Sequence, residues 1–61
     1  MQTFSFDVFT SDHDAVKQGI LRQHRSRVVV AAETHAEAVQ LAACMAVIRF
    51  GGMPTEVLTR L

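Results

Sequence analysis

A run of apolar residues constrains the fold of this chain most strongly. From Leu41 to Ile48 every residue is apolar, LAACMAVI, within a segment that carries helix signals at both ends. A helix packed on a small sheet needs only one apolar face. A chain of 61 residues forms one small domain and buries only about 60% of the surface that it exposes when unfolded. The remaining apolar side of this helix therefore needs a cover from outside the chain.

The two ends of the helix are marked by local signals. Thr34 can accept a hydrogen bond from the amide of Glu37, and T-x-x-E is the pattern of a capping box. Gly51 can close the helix, and Pro54 cannot continue it. The sequence therefore predicts a helix over residues 35–49.

Three other segments have strand patterns. Residues 2–10 alternate apolar and polar side chains, which is typical of a half-buried strand, and Phe9 breaks the alternation as at a bulge or bend. Residues 27–33 are apolar on both faces, which favours a central strand or one covered on both sides. Residues 55–61 alternate imperfectly and indicate a short edge strand. Residues 11–26 fit either a short helix or a long hairpin loop, and we favour irregular structure that ends in a hairpin return.

The element order predicts one α+β domain over residues 1–61. It consists of a small antiparallel sheet of two or three strands packed on one long helix in the C-terminal half, in the order β-β-α-β. Domains of this size usually need disulfides, a metal or oligomerisation for stability. Cys44 is the only cysteine, which rules out an internal disulfide and favours a cytoplasmic setting. The His and Asp spacings match no metal site, so we expect no metal and no cofactor. Oligomerisation is the remaining source of stability, and a homodimer is its simplest form.

A helical wheel divides the apolar residues of this helix into two flanks. One stripe is predicted to cover the sheet: Ala38, Leu41, Ala42, Met45 and Ile48. The other flank is predicted to form the subunit seam: Val39, Ala43, Val47 and Phe50. Alanine also recurs every four residues, at positions 38, 42 and 46, which favours close packing of the helix on the sheet over a helix–helix seam.

The best candidate for a binding site is the basic segment RQHRSR. Its predicted contact residues are Arg22, His24, Arg25 and Arg27. Six Lys and Arg balance six Asp and Glu in the whole chain, which argues against a simple nucleic-acid or membrane binder. We favour an acidic protein surface as the partner and keep a small nucleic-acid-binding protein as the alternative. Such clusters are more commonly a solvated flank without a partner, in which the arginines would pair with Asp7, Asp12 or Asp14.

No motif in the sequence indicates catalysis or membrane insertion. Cys44 has Gln40 and Ile48 beside it on the predicted helix, and neither is a base that could activate a thiol. Gly51 and Gly52 end a helix, whereas a phosphate loop opens one. The apolar run is far shorter than the roughly 20 residues of a transmembrane helix, and the first residues lack the pattern of a signal peptide. We therefore expect no enzymatic activity, no catalytic residues and no membrane span.

Two segments resemble known proteins. VVVAAETHAEAVQLAACMA, residues 28–46, and GGMPTEVL, residues 51–58, are similar to short orphan accessory proteins encoded by bacteriophages of actinobacteria. In those proteins a Val-rich strand runs into an alanine-rich helix that a G-M-P-T turn closes. The resemblance implies a phage accessory protein that modulates a host protein in the host cytoplasm, and it implies no catalytic residues.

Overall fold

A computed structural model of the protein describes residues 1–60 as a three-stranded antiparallel sheet with one long helix on one face. The elements in chain order are β1 (Gln2–Ser11), α1 (His13–Lys17), β2 (His24–Ala32), α2 (His35–Phe50) and β3 (Met53–Thr59). The predicted α+β class and β-β-α-β order are confirmed, with α1 as a short addition. Residues 11–26 were predicted to form either a short helix or a long hairpin loop. The structure contains both, because the short helix α1 is followed by an irregular return to β2. The predicted third strand extended to Leu61, which lies outside the described residues.

The strand order is β2-β1-β3, so the first strand of the chain is the central one. The expectation that residues 27–33 form a central strand, or one covered on both faces, is wrong. β2 lies at an edge of the sheet, and its Val29 side chain is 57% exposed on the face away from α2. The sequence predicted a bulge or bend at Phe9, but Phe9 continues the alternation of β1. The pairing of β1 with β3 shifts register between Phe9 and Thr10, and the extra residue is Thr55 on β3.

The core lies between the sheet and α2. Strand side chains point alternately to the two faces, and the helix-facing ones form the apolar part of the core: Phe6, Val8, Val28, Val30 and Ala32. The helix contributes three fully buried alanines: Ala38, Ala42 and Ala46. Their four-residue spacing places them on one line of the helix, where small side chains let the helix approach the sheet closely. The packing of these alanines on the sheet, which the sequence favoured, is confirmed.

The prediction that Leu41, Met45 and Ile48 cover the sheet is wrong. Leu41, Met45 and Ile48 are exposed at 42%, 41% and 79%. Ala38, Ala42 and Ala46, which we call the alanine line, centre the contact of α2 with the sheet on Ala42. Because successive residues of a helix are about 100° apart, Leu41 and Ile48 point roughly 100–120° away from the sheet. We call these three exposed residues the outer flank of α2.

Both ends of α2 follow the predicted local signals. The Oγ1 of Thr34 accepts a hydrogen bond from the amide of Glu37 at 3.2 Å, and Gly51 adopts a positive φ of 75° just after the helix. Gly52 also has a positive φ, and a Cβ at this position would lie 2.6 Å from the carbonyl oxygen of Ser11. The turn from α2 into β3 therefore requires glycine at position 52.

The core contains one buried hydroxyl with no hydrogen-bond partner among the described residues, the Oγ1 of Thr10. Leaving a buried hydroxyl unpaired costs about 1–3 kcal/mol. We expect Thr10→Val, which replaces the hydroxyl by a methyl group of similar shape, to raise the free energy of unfolding by about 1 kcal/mol in urea titrations. Thr10→Ser keeps the hydroxyl and should not stabilise the fold. A Thr10→Val midpoint at or below that of the unchanged protein would contradict the assignment of this hydroxyl as unpaired.

Candidate functional site

The face of the sheet opposite α2 carries most of the predicted arginine cluster. Arg25 and Arg27 lie on the outward-pointing side of β2, and both are exposed. The strand register places Arg25 opposite Phe9 and Arg27 opposite Asp7 on the central strand. We call this surface the open face, and its other described members on β2 and β3 are Val29, Ala31, Glu56 and Leu58.

Arg22 is held by contacts within the chain. Its Nε and Nη2 atoms donate to both carboxylate oxygens of Glu56, at 3.0 and 2.8 Å, and its guanidinium carbon lies 4.5 Å from the centroid of the Phe9 ring. The hydrogen bond and the negative charge of Glu56 raise the pKa of Arg22 above its ordinary value. A two-pronged ion pair over an aromatic ring fixes the planar guanidinium in place. Arg22 therefore anchors the return loop to the sheet, and its partner is Glu56 instead of an N-terminal aspartate.

His24 is likewise engaged within the chain. Its ring is half-buried and stacks on the ring of Phe50, with centroids 4.9 Å apart and planes at 10°. Next to this pair, Nη1 of Arg49 donates to the Oγ of Ser26 at 2.9 Å. These two contacts tie the end of α2 to the start of β2. A predicted binding residue, His24, and a predicted seam residue, Phe50, thus cover each other in part.

Arg25 and Arg27 remain available on the open face. Neither forms an ion pair with any residue in the described range 1–60. The two carboxylates nearby are neutralised, because Glu56 pairs with Arg22 and Asp7 pairs with Arg60 at 3.0 Å. The open face therefore carries two uncompensated positive charges.

The predicted seam residues are only partly open to a second chain. Val39, Ala43 and Val47 are half-buried, and Val39 packs against the core. Phe50 is 41% exposed beside His24. The more open apolar surface is the outer flank, and no residue from 38 to 48 is charged. The four-residue repeat of alanine was the sequence signal for the side of α2 that faces the sheet. The outer flank could have been identified from it, as the large apolar residues that point away from these alanines.

The residues considered for catalysis lie apart. Cys44 is exposed on α2, whereas His35 lies nine positions earlier, about 13 Å along the helix axis. His35 contacts the rings of Phe4 and Phe6, and its Nε2 is 2.9 Å from the Oγ1 of Thr59. Within residues 1–60, no three His, Cys, Asp or Glu side chains could share a metal ion, and no pocket is formed. None of the helices in this range is long and apolar enough to cross a bilayer.

Comparison with protein-family models, curated proteins and solved structures gives no significant match to this chain.

Proposed function

We propose that this chain is a non-enzymatic, self-associating accessory protein of the phage type, which binds and modulates a host protein in the host cytoplasm. The observation that carries the self-association is the outer flank of α2. Three large aliphatic side chains are exposed there on a helix segment without charge. Contiguous exposed apolar side chains are typical of interaction sites, and domains of this size gain stability from a second copy. The phage origin is supported by the resemblance of residues 28–58.

The open face supports an acidic protein surface as the partner. Arg25 and Arg27 project from β2 without a counterion among residues 1–60, and apolar side chains lie on the same face at Val29 and Leu58. Protein interfaces are enriched in arginine and in apolar contact area. A partner with carboxylates beside an apolar patch would match both features of the open face.

The same surface supports nucleic-acid binding less well. Two free arginines could neutralise about two phosphates, which gives a slope of log affinity against log salt of only about −2. Arg22 and Arg60 add nothing to this count, because they pair with Glu56 and Asp7. The ring of Phe9 is covered by Arg22, so it is not free to stack on a base.

The test uses one charge reversal and one matched control. Tagged protein is used as bait in a lysate of an actinobacterial host, with and without nuclease, and any retained protein is then purified and titrated. We expect a host protein that binds the unchanged chain and the Lys17→Glu control, but binds Arg27→Glu at least about tenfold more weakly because an ion pair becomes a repulsion. Lys17 is exposed on α1, so the control reverses the same charge away from the open face.

Two outcomes would overturn the proposed protein partner. One is equal binding of the retained protein to Arg27→Glu and to the control. The other is retention that nuclease abolishes and that falls steeply with salt, which would assign the open face to nucleic acid.

A further inference from the structure

The two edges of the sheet differ in how well they are protected from a further strand. β3 carries Pro54, and its pairing with β1 is interrupted at Thr55, where the register shifts. Both features discourage edge-to-edge pairing. β2 spans nine residues, HRSRVVVAA, pairs with β1 in an unbroken register and contains no proline or glycine.

The outer edge of β2 is open among the described residues. Only β1 and α2 pack substantially against β2, so its unpaired backbone amides and carbonyls face outward along the strand. A long edge of this kind accepts another strand through main-chain hydrogen bonds. The three consecutive valines at positions 28–30 favour the extended conformation that such pairing needs.

Charge complementarity identifies the strand that fits this edge as β2 of a second copy. We propose, on the basis of the self-association proposed above, that two copies pair through their β2 edges, antiparallel and centred on Val29. In that register Arg25 of each copy lies opposite Glu33 of the other, whereas Arg27 lies opposite Ala31 and remains on the open face for the proposed host partner. Glu33 is the first residue after β2, so this pair would lie at the end of the shared ladder, where opposite charges on facing strands are favourable. Both Arg25 and Glu33 are exposed, although Glu33 also lies 4.0 Å from the amino group of Met1.

Neighbouring registers fit less well. A pair centred on Arg27 would place this arginine against its own copy, which is unfavourable. A pair centred on Val28 would put Arg25 opposite Ala31, without a directly opposed carboxylate. In a register where an odd-numbered residue lies opposite an even-numbered one, the α2 helices of the two copies would lie on opposite faces of the sheet. This follows because side chains alternate between the two faces along a strand.

This pairing would also bring the two outer flanks together. β2 and β3 are parallel, since both are antiparallel to β1, and α2 connects them. Such crossovers are right-handed in nearly all proteins. In a right-handed crossover, the outer flank lies on the side of α2 that is nearer to β2 than to β3. A continuous six-stranded sheet would then carry two helices side by side on one face. Each outer flank would be covered by the other.

Disulfide trapping tests the register directly. In a Cys44→Ser background, Val29→Cys places a thiol on the two-fold axis. There the two Cα atoms are about 4.5–5.5 Å apart, which suits a disulfide. Ala31→Cys is the matched control, because it is exposed on the same face but would lie four residues along the strand, about 13 Å, from its own copy. Under mild oxidation we expect Val29→Cys to run as a covalent dimer on a non-reducing gel and Ala31→Cys to remain mostly monomeric.

A charge exchange tests the predicted ion pair. We expect Arg25→Glu and Glu33→Arg each to raise the dimer dissociation constant about fivefold, and the double variant to restore it. Equal trapping of both cysteine variants, or a double variant as weak as the single ones, would overturn the β2 pairing. If the unchanged protein is dimeric in that case, self-association stands and only this interface is wrong. If the unchanged protein is monomeric, both proposals fail.

Discussion

Phe6→Ala should leave most of the chain unfolded at room temperature. Phe6 is fully buried at the centre of the sheet, opposite Val28 on β2 and Thr59 on β3, and it is the largest fully buried side chain of the core. Truncating a buried phenylalanine costs about 3–5 kcal/mol. A single core of this size supplies rarely more than about 3–5 kcal/mol in total, so the loss is comparable with the whole stability.

Circular dichroism during a urea titration measures this effect. The control is Phe9→Ala, because Phe9 is half-buried on the open face and its removal leaves the core intact. Both variants are compared at one protein concentration, since self-association makes stability depend on concentration. A cooperative Phe6→Ala transition within about 1 kcal/mol of the Phe9→Ala value would contradict the position of Phe6 in the core.

Ala42→Leu should destabilise the chain by overfilling the interface between helix and sheet. Ala42 is fully buried at the middle of the alanine line, and three added carbon atoms there would have to push α2 away from β1 and β2. Added volume in a well-packed core typically costs about 1–3 kcal/mol. Thermal unfolding followed by circular dichroism should show a clearly lower midpoint for this variant.

Ala36→Leu is the matched control for this substitution. Ala36 is exposed in the first turn of the same helix, and Ala and Leu have similar helix propensities. We therefore expect its midpoint to stay close to that of the unchanged protein. Equal losses for Ala36→Leu and Ala42→Leu would show that the alanine line does not set the distance between helix and sheet.

The sequence was sufficient for those features that depend on neighbouring residues. The ends of α2 follow from Thr34 and Gly51, because caps and left-handed turns are local chemistry. The alternation of β1 identified its buried face. These signals need no knowledge of how the strands are ordered.

The features that sequence reasoning missed depend on residues far apart in the chain. The valines of β2 resemble those of a central strand. The order of the strands depends, however, on which strands pair with each other, and a single segment does not show this. Arg22 pairs with Glu56, 34 positions away, and no local pattern indicates that pair. The helical wheel showed two apolar flanks but did not show which one faces the sheet. That choice follows from the close approach of Ala38, Ala42 and Ala46.

The central claim is that one copy of this chain does not cover its own apolar helix and open strand edge. Sedimentation equilibrium of the unchanged protein over a range of micromolar concentrations tests it most directly. The mass should be twice the 6.7 kDa of one chain, and dilution should shift it reversibly toward one copy. A mass of one chain at every concentration would contradict the claim.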